Sequence, residues 1–127
     1  MKTILVDAVY TFVSDEGEIF QPLFELLEKY PNKKIILTGA DDKQFKMFGL
    51  DKMPYGVFTL KHNPEKTDPK YYETMLQHFG LSKDDVVYFE HDLAAVKSAE
   101  SVGIKSYHYD QEKKDLVGLK KFLDENL

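Results

Sequence analysis

Five apolar runs of strand length recur along the chain, and a segment of helical periodicity follows each one. The runs are Thr3–Asp7, Ile35–Leu37 ending at Thr38, Val57–Leu60, Val86–Phe89 ending at Glu90, and Ile104–Tyr109. Runs that are β-branched and apolar on both faces suit strands covered by helices on both sides. In the segment 20–30, Leu23, Leu26, Leu27 and Tyr30 share one helical face, with Pro22 in the first turn. Residues 41–48 form a short helical segment before Gly49. Residues 68–80 place Tyr72, Met75, Leu76 and Phe79 at helical spacing, with Pro69 at the start and Gly80 as the stop. Residues 92–103 repeat that design, and 115–127 close the chain. Asp15–Glu18 reads as a polar turn at the tip of a small hairpin. Repeated strand–helix alternation means βαβ units with right-handed crossovers. The expected fold class is therefore α/β, a three-layer α/β/α sandwich with a five-stranded parallel Rossmann-like sheet.

A chain of 127 residues suits one domain with one core, read here as residues 1–127 without linker or repeat. The net charge is -5 and the lysines are interleaved with acids, so the basic stripe of a nucleic-acid surface is missing. There is no cysteine. That rules out disulfides, thiolate metal sites and cysteine nucleophiles, and it matches a reducing compartment, so a cytoplasmic location is expected. Only Met1 and Lys2 precede the first strand, so no secretory leader is expected. No apolar run reaches the ~20 residues of a membrane span, so no membrane partner is expected.

In open parallel sheets, ligands bind beyond the carboxyl ends of the strands. The first strand delivers Asp7 there, with Thr11 close behind. The second delivers Thr38 and Gly39. The loop after the third carries Lys66, and the fourth delivers Glu90, His91 and Asp92. Carboxylates gathered in one volume repel and need a cation between them, either Lys66 or a bound Mg²⁺. A strand-tip aspartate can attack phosphorus, while a hydroxyl and backbone amides hold the phosphate oxygens.

The order of these groups resembles the haloacid dehalogenase (HAD) superfamily, most of whose members are phosphatases. "ILVDAVYT" is similar to the family's strand followed by DxDxT, "IILTGA" to its strand ending in Thr or Ser, and "KTDPKYY" to its KPDPxxY lysine motif. "VVYFEHDLAAVKSAESVG" has the shape of the acidic fourth motif with its following helix. The resemblance implies Asp7, Thr38 and Lys66 as catalytic residues, with Asp7 the nucleophile. It implies Ala8, Val9 and Gly39 as substrate contacts. It also implies Mg²⁺ held by Asp7, the Val9 carbonyl, and Glu90 or Asp92, and a small phosphorylated or acidic substrate.

Three departures stand out. Val9 occupies the place of the family's second aspartate, the general acid/base, and a valine moves no proton. In the fourth motif Glu90 and His91 align with the family's acid pair, with Asp92 next, or else His91 and Ala95 take its two acid positions. Neither the stretch from Asp7 to Thr38 nor that from Thr38 to Lys66 has room for the family's cap domain. A bare core leaves the site open, and association of copies into a homo-oligomer is the expected way to cover it. Three readings follow from the resemblance. One is a slow hydrolase acting through an aspartyl-phosphate. The second is a module that binds phosphate or a protein partner without turnover. The third is a metal-free variant acting on carbon–halogen or carbon–phosphorus bonds. His91 is read as making a local hydrogen bond, His62, His78 and His108 are given no role, and Tyr71, Tyr72, Tyr107 and Tyr109 are read as packing residues.

Overall fold

The computed structural model describes residues 1–127. Strands β1 (Thr3–Asp7), β2 (Lys34–Thr38), β3 (Gly56–Thr59), β4 (Val86–Glu90) and β5 (Lys105–His108) form one sheet, in the order β3-β2-β1-β4-β5. Every neighbouring pair is parallel. The helices are α1 (Gln21–Glu28), α2 (Asp42–Met47), α3 (Pro69–Phe79), α4 (Leu93–Ser101) and α5 (Leu116–Asn126). The expected α/β sandwich is what forms. Short 3-10 turns at Leu50–Lys52 and Lys83–Asp85, which periodicity does not reveal, lead into β3 and β4.

Strand parity divides the core. Ile4 and Val6 of β1, Ile36 of β2, and Val87 and Phe89 of β4 pack with Leu23, Leu26 and Leu27 of α1 and Leu119 and Leu123 of α5. Leu5, Ile35, Leu37 and Tyr88 pack on the opposite face with Tyr71, Tyr72 and Met75 of α3 and Ala99 of α4. Leu23, Leu27, Leu119 and Leu123 are fully buried, and each such side chain stabilises the fold by about 1.5–3 kcal/mol. The edge strands depart from expectation. β5 is shorter than the run 104–109, and both β3 and β5 are largely half-exposed. An edge strand has one strand neighbour and projects past the helical layers, so its side chains meet water.

Local signals set the helix ends. Asp41 and Gln44 form a capping box at the start of α2. Asp68 caps α3, Pro69 fills its first position, and Gly80 ends it in the left-handed region at φ 65°. Asp92 caps α4. The chain between β1 and α1 folds as the expected small hairpin. Val13 bridges to Val9 and to Ile19, Ser14 N–H donates to the Glu18 carbonyl at 2.8 Å, and Phe12 and Val13 plug the core. Between β2 and Lys66 lie only α2, a 3-10 turn and β3. No helix is long and apolar enough to cross a membrane.

Candidate active site

Parity also builds the site. Leu5 faces α3 and α4, so Asp7, two residues on, emerges on the same side. Tyr88 does the same for Glu90. The register pairs Val6 with Phe89, which brings Asp7 and Glu90 side by side at the strand ends. A one-residue slip of β4 would turn Glu90 to the other face. Lys66 arrives from the loop before α3. That loop is held by the Asp68 cap and by the Ser98 hydroxyl, which donates to the Thr67 carbonyl.

Lys66 Nζ donates to Asp7 Oδ1 at 2.7 Å and to the Leu37 carbonyl at 3.2 Å, and it lies 2.6 Å from Glu90 Oε1. Three acceptors thus meet the three protons of an ammonium. Asp7 Oδ2 accepts from the Thr11 hydroxyl at 2.6 Å, from His91 N–H at 3.3 Å, and from His91 Nδ1. His91 Nδ1 also lies 3.2 Å from Glu90 Oε2. Tyr88 donates its hydroxyl to Glu90 Oε1, and Asp92 N–H donates to Oε2 at 3.1 Å. Two buried carboxylates are therefore bridged by an ammonium and an imidazole.

The charges follow from this arrangement. Burial pushes Asp7 up, but the Lys66 charge and the His91 hydrogen bond outweigh it and hold the carboxyl well below its usual range. Burial opposes the charge on Lys66, yet Asp7 and Glu90 raise it well above the ordinary lysine value. The hydrogen bond to Asp7, then the one to Glu90, lift His91 from 6.5 to about 10. A folded value above the unfolded one means stability that is complete below pH ~6.5 and lost as pH rises toward 10. In buffer free of divalent cations, wild type should lose on the order of 2 kcal/mol relative to His91→Asn across that window. The figure is discounted because the ring is partly exposed to solvent. Urea unfolding at stepped pH measures it, and a difference that stays flat removes the charged His91.

These groups line a pocket of about 270 Å³ together with Val9, Thr38 and Gly39. The Thr38 hydroxyl accepts from Ala40 N–H at 3.2 Å, which leaves its own proton free to donate. Its carbonyl accepts from Tyr71 at 2.7 Å, so that buried tyrosine supports the site as well as packing. The Val9 and Gly39 amides make no backbone hydrogen bond. Ala8, expected as a substrate contact, is 1 % exposed, and its amide donates to the Leu37 carbonyl at 3.3 Å, so it sits behind the pocket. Asp92, the alternative metal ligand, reaches the rim, but its carboxylate caps α4 through Ala94 N–H at 3.0 Å.

The rim adds Tyr10, Gln44, Phe48, His62 and Glu65. Tyr10 sits at φ 72°, with its ring edge-on to His91 at 5.8 Å between centroids. His108 reaches the His91 carbonyl at 2.9 Å, and His78 packs against Phe58 and Phe79. His62 and His108 share no metal-ligand spacing that would single them out in the sequence. The one available signal for His62 was its place in the loop that delivers Lys66.

By sequence, no family model and no curated protein matches the chain. The likeness is structural. A HAD family enzyme from Bacteroides thetaiotaomicron, an Asp-to-Ala mutant in complex with magnesium and inorganic phosphate, superposes with a TM-score of 0.66 at 10% identity, covering 84% of this chain and 93% of that one. An uncharacterized protein from Corynebacterium glutamicum gives 0.69 at 14% identity over 98% and 96%. A conserved haloacid dehalogenase-like protein of unknown function from Agrobacterium tumefaciens gives 0.61 at 16% identity over 84% and 61%. The strand order, the three layers and these neighbours agree, and the chain has the haloacid dehalogenase-like fold.

Proposed function

We propose that the protein is a hydrolase of phosphate esters or anhydrides that works through a phosphoryl group carried on Asp7. One observation carries this reading. A buried, ionised strand-tip carboxylate lies 2.7 Å from a largely buried ammonium, in a pocket lined by Thr38 and by Val9 and Gly39, whose amides are unpaired. Lys66 and His91 keep Asp7 ionised, as a nucleophile must be. The Thr38 hydroxyl and the Val9 and Gly39 amides offer hydrogen bonds to phosphoryl oxygens, and Lys66 offsets their negative charge. Val9 supplies no proton, and the loss of a general acid costs about 10²–10⁴ in rate. Acyl phosphates, whose leaving group needs no proton, are the substrates least affected.

The residues present fit a magnesium ion. The Asp7 and Glu90 carboxylates and the Val9 carbonyl, which accepts no backbone hydrogen bond, are hard oxygen donors. His91 Nδ1 lies between the two carboxylates, and its ring is partly exposed to solvent. Mg²⁺ would supply further charge neutralisation for the phosphoryl group.

A second reading, phosphate binding without turnover, is favoured by that same histidine, which already neutralises the carboxylates. Binding and turnover separate the two. Mg²⁺ with orthovanadate, roughly tenfold above its dissociation constant, should add about 1.4 kcal/mol to unfolding. That moves the thermal midpoint by about 3–6 °C. Acetyl phosphate should be consumed. A midpoint shift without hydrolysis selects the second reading, and neither response removes both.

A further inference from the structure

We propose that His62 is the proton donor to the leaving group, replacing the acid that Val9 cannot be. The inference rests on the Asp7 reading above. His62 lies in the loop between β3 and Lys66 and lines the same pocket as Asp7, Thr38 and Lys66. A Cβ built on Gly39 would lie 3.5 Å from His62 Nδ1, so the ring stands beside a pocket residue whose amide makes no backbone hydrogen bond. Nδ1 is 2.8 Å from Glu65 Oε1, and Nε2 meets Gln44 Oε1. The Gln44 amide is oriented independently, because the same Oε1 accepts from Asp41 N–H at 3.1 Å in the capping box of α2. Both ring nitrogens therefore face acceptors, Nδ1 toward Glu65 and Nε2 toward Gln44.

The backbone agrees with a functional placement. Lys61 and His62 are consecutive non-glycine residues in the left-handed region, at φ 53° and 64°. Such conformations are costly and persist where the surroundings impose them. Lys61 also meets Asp42 of α2 at 3.0 Å, a second contact between this loop and the helix that carries Gln44.

Other proton carriers in the pocket are excluded by their partners. His91 cannot release its proton without stranding Asp7 and Glu90. Asp92 is an acceptor committed to the α4 cap. His62 is exposed at the rim, where solvent can reload it.

The chemistry balances. As the bond from Asp7 to phosphorus forms and the ester P–O bond breaks, the His62 Nε2 proton passes to the departing oxygen, which takes the place of the Gln44 oxygen. In the second half-reaction, water attacks phosphorus and gives its proton to His62, and the Asp7 carboxylate departs. Glu65 and Gln44 are positioning residues.

The test compares two esters. p-Nitrophenyl phosphate has a leaving group that needs no proton, whereas glycerol phosphate needs one. His62→Asn should lower kcat/KM on glycerol phosphate by about 10²-fold or more. The kcat/KM of p-nitrophenyl phosphate should stay within roughly threefold, since activated leaving groups bypass the acid, whereas kcat should fall on both esters because water attack on the Asp7 phosphoryl group still uses His62 as base. Glu65→Gln should lower kcat on glycerol phosphate about tenfold with KM unchanged. Thermal midpoints like wild type show that both variants fold. Equal loss of kcat/KM on both esters, or loss on neither, overturns the assignment while the Asp7 reading stands. Wild-type protein inert toward both esters and toward acetyl phosphate overturns the Asp7 reading, and the proton donor falls with it.

Discussion

Replacing Asp7 with asparagine is expected to lower turnover of acetyl phosphate and p-nitrophenyl phosphate by at least about 10³-fold, the scale seen when a covalent nucleophile is lost. The change is close to isosteric. An amide oxygen can still accept from Lys66, and the Thr11 hydroxyl can turn to accept from the amide nitrogen. The pocket therefore persists, and what disappears is the charged oxygen proposed to attack phosphorus. Binding should respond in the opposite sense. Removing one negative charge from beside a phosphate dianion relieves repulsion, so the asparagine variant should bind inorganic phosphate at least as tightly as wild type. Steady-state kinetics and calorimetric titration read the two effects separately. Unchanged turnover in the variant would show that Asp7 is not the nucleophile. Lost turnover together with lost phosphate binding would show that its role is structural.

The second large effect belongs to Lys66. Lys66→Met keeps the length of the side chain and removes the only ammonium between two carboxylates that are 2 % and 0 % exposed. Breaking a buried ion pair from one side costs about 3–5 kcal/mol, because the remaining charge is left without a partner. The pH dependence identifies the cause. In wild type the Asp7 value is depressed, so its contribution is present above the unfolded carboxylate range near 4 and is lost as pH falls. In Lys66→Met the paired carboxylates repel and hold a proton more readily, so the deficit against wild type should narrow on acidification. Adding Glu90→Gln to Lys66→Met should recover part of the loss at neutral pH. Urea denaturation of the single and double variants measures both. A deficit that is independent of pH would point to lost packing instead of stranded charge.

Much of this was legible in the chain itself. The apolar runs at 3–7, 86–89 and around 35–38 could only be strands buried on both faces, and the helical segments between them dictated parallel order. Asp68 with Pro69 and Gly80 marked the limits of α3 through local backbone chemistry that needs no tertiary contact. The acid, the hydroxyl and the lysine could be placed at one sheet edge, because topology alone sends the end of every parallel strand there.

Three features were decided only by the folded structure. Glu90 and Asp92 are equal candidates in sequence. Strand parity turns Glu90 inward beside Asp7, while helix capping claims Asp92. Ala8 looks available beside a nucleophile, yet a single bond to Leu37 faces it into the core. His91 and His62 carry no spacing signature, and their partners lie 84 and 18 residues away in sequence. Patterns along a chain encode which face a residue takes within its own element. The distance between groups on different elements arises only when the sheet register and the loops are set together, and that distance is what makes two carboxylates, an ammonium and an imidazole into a site.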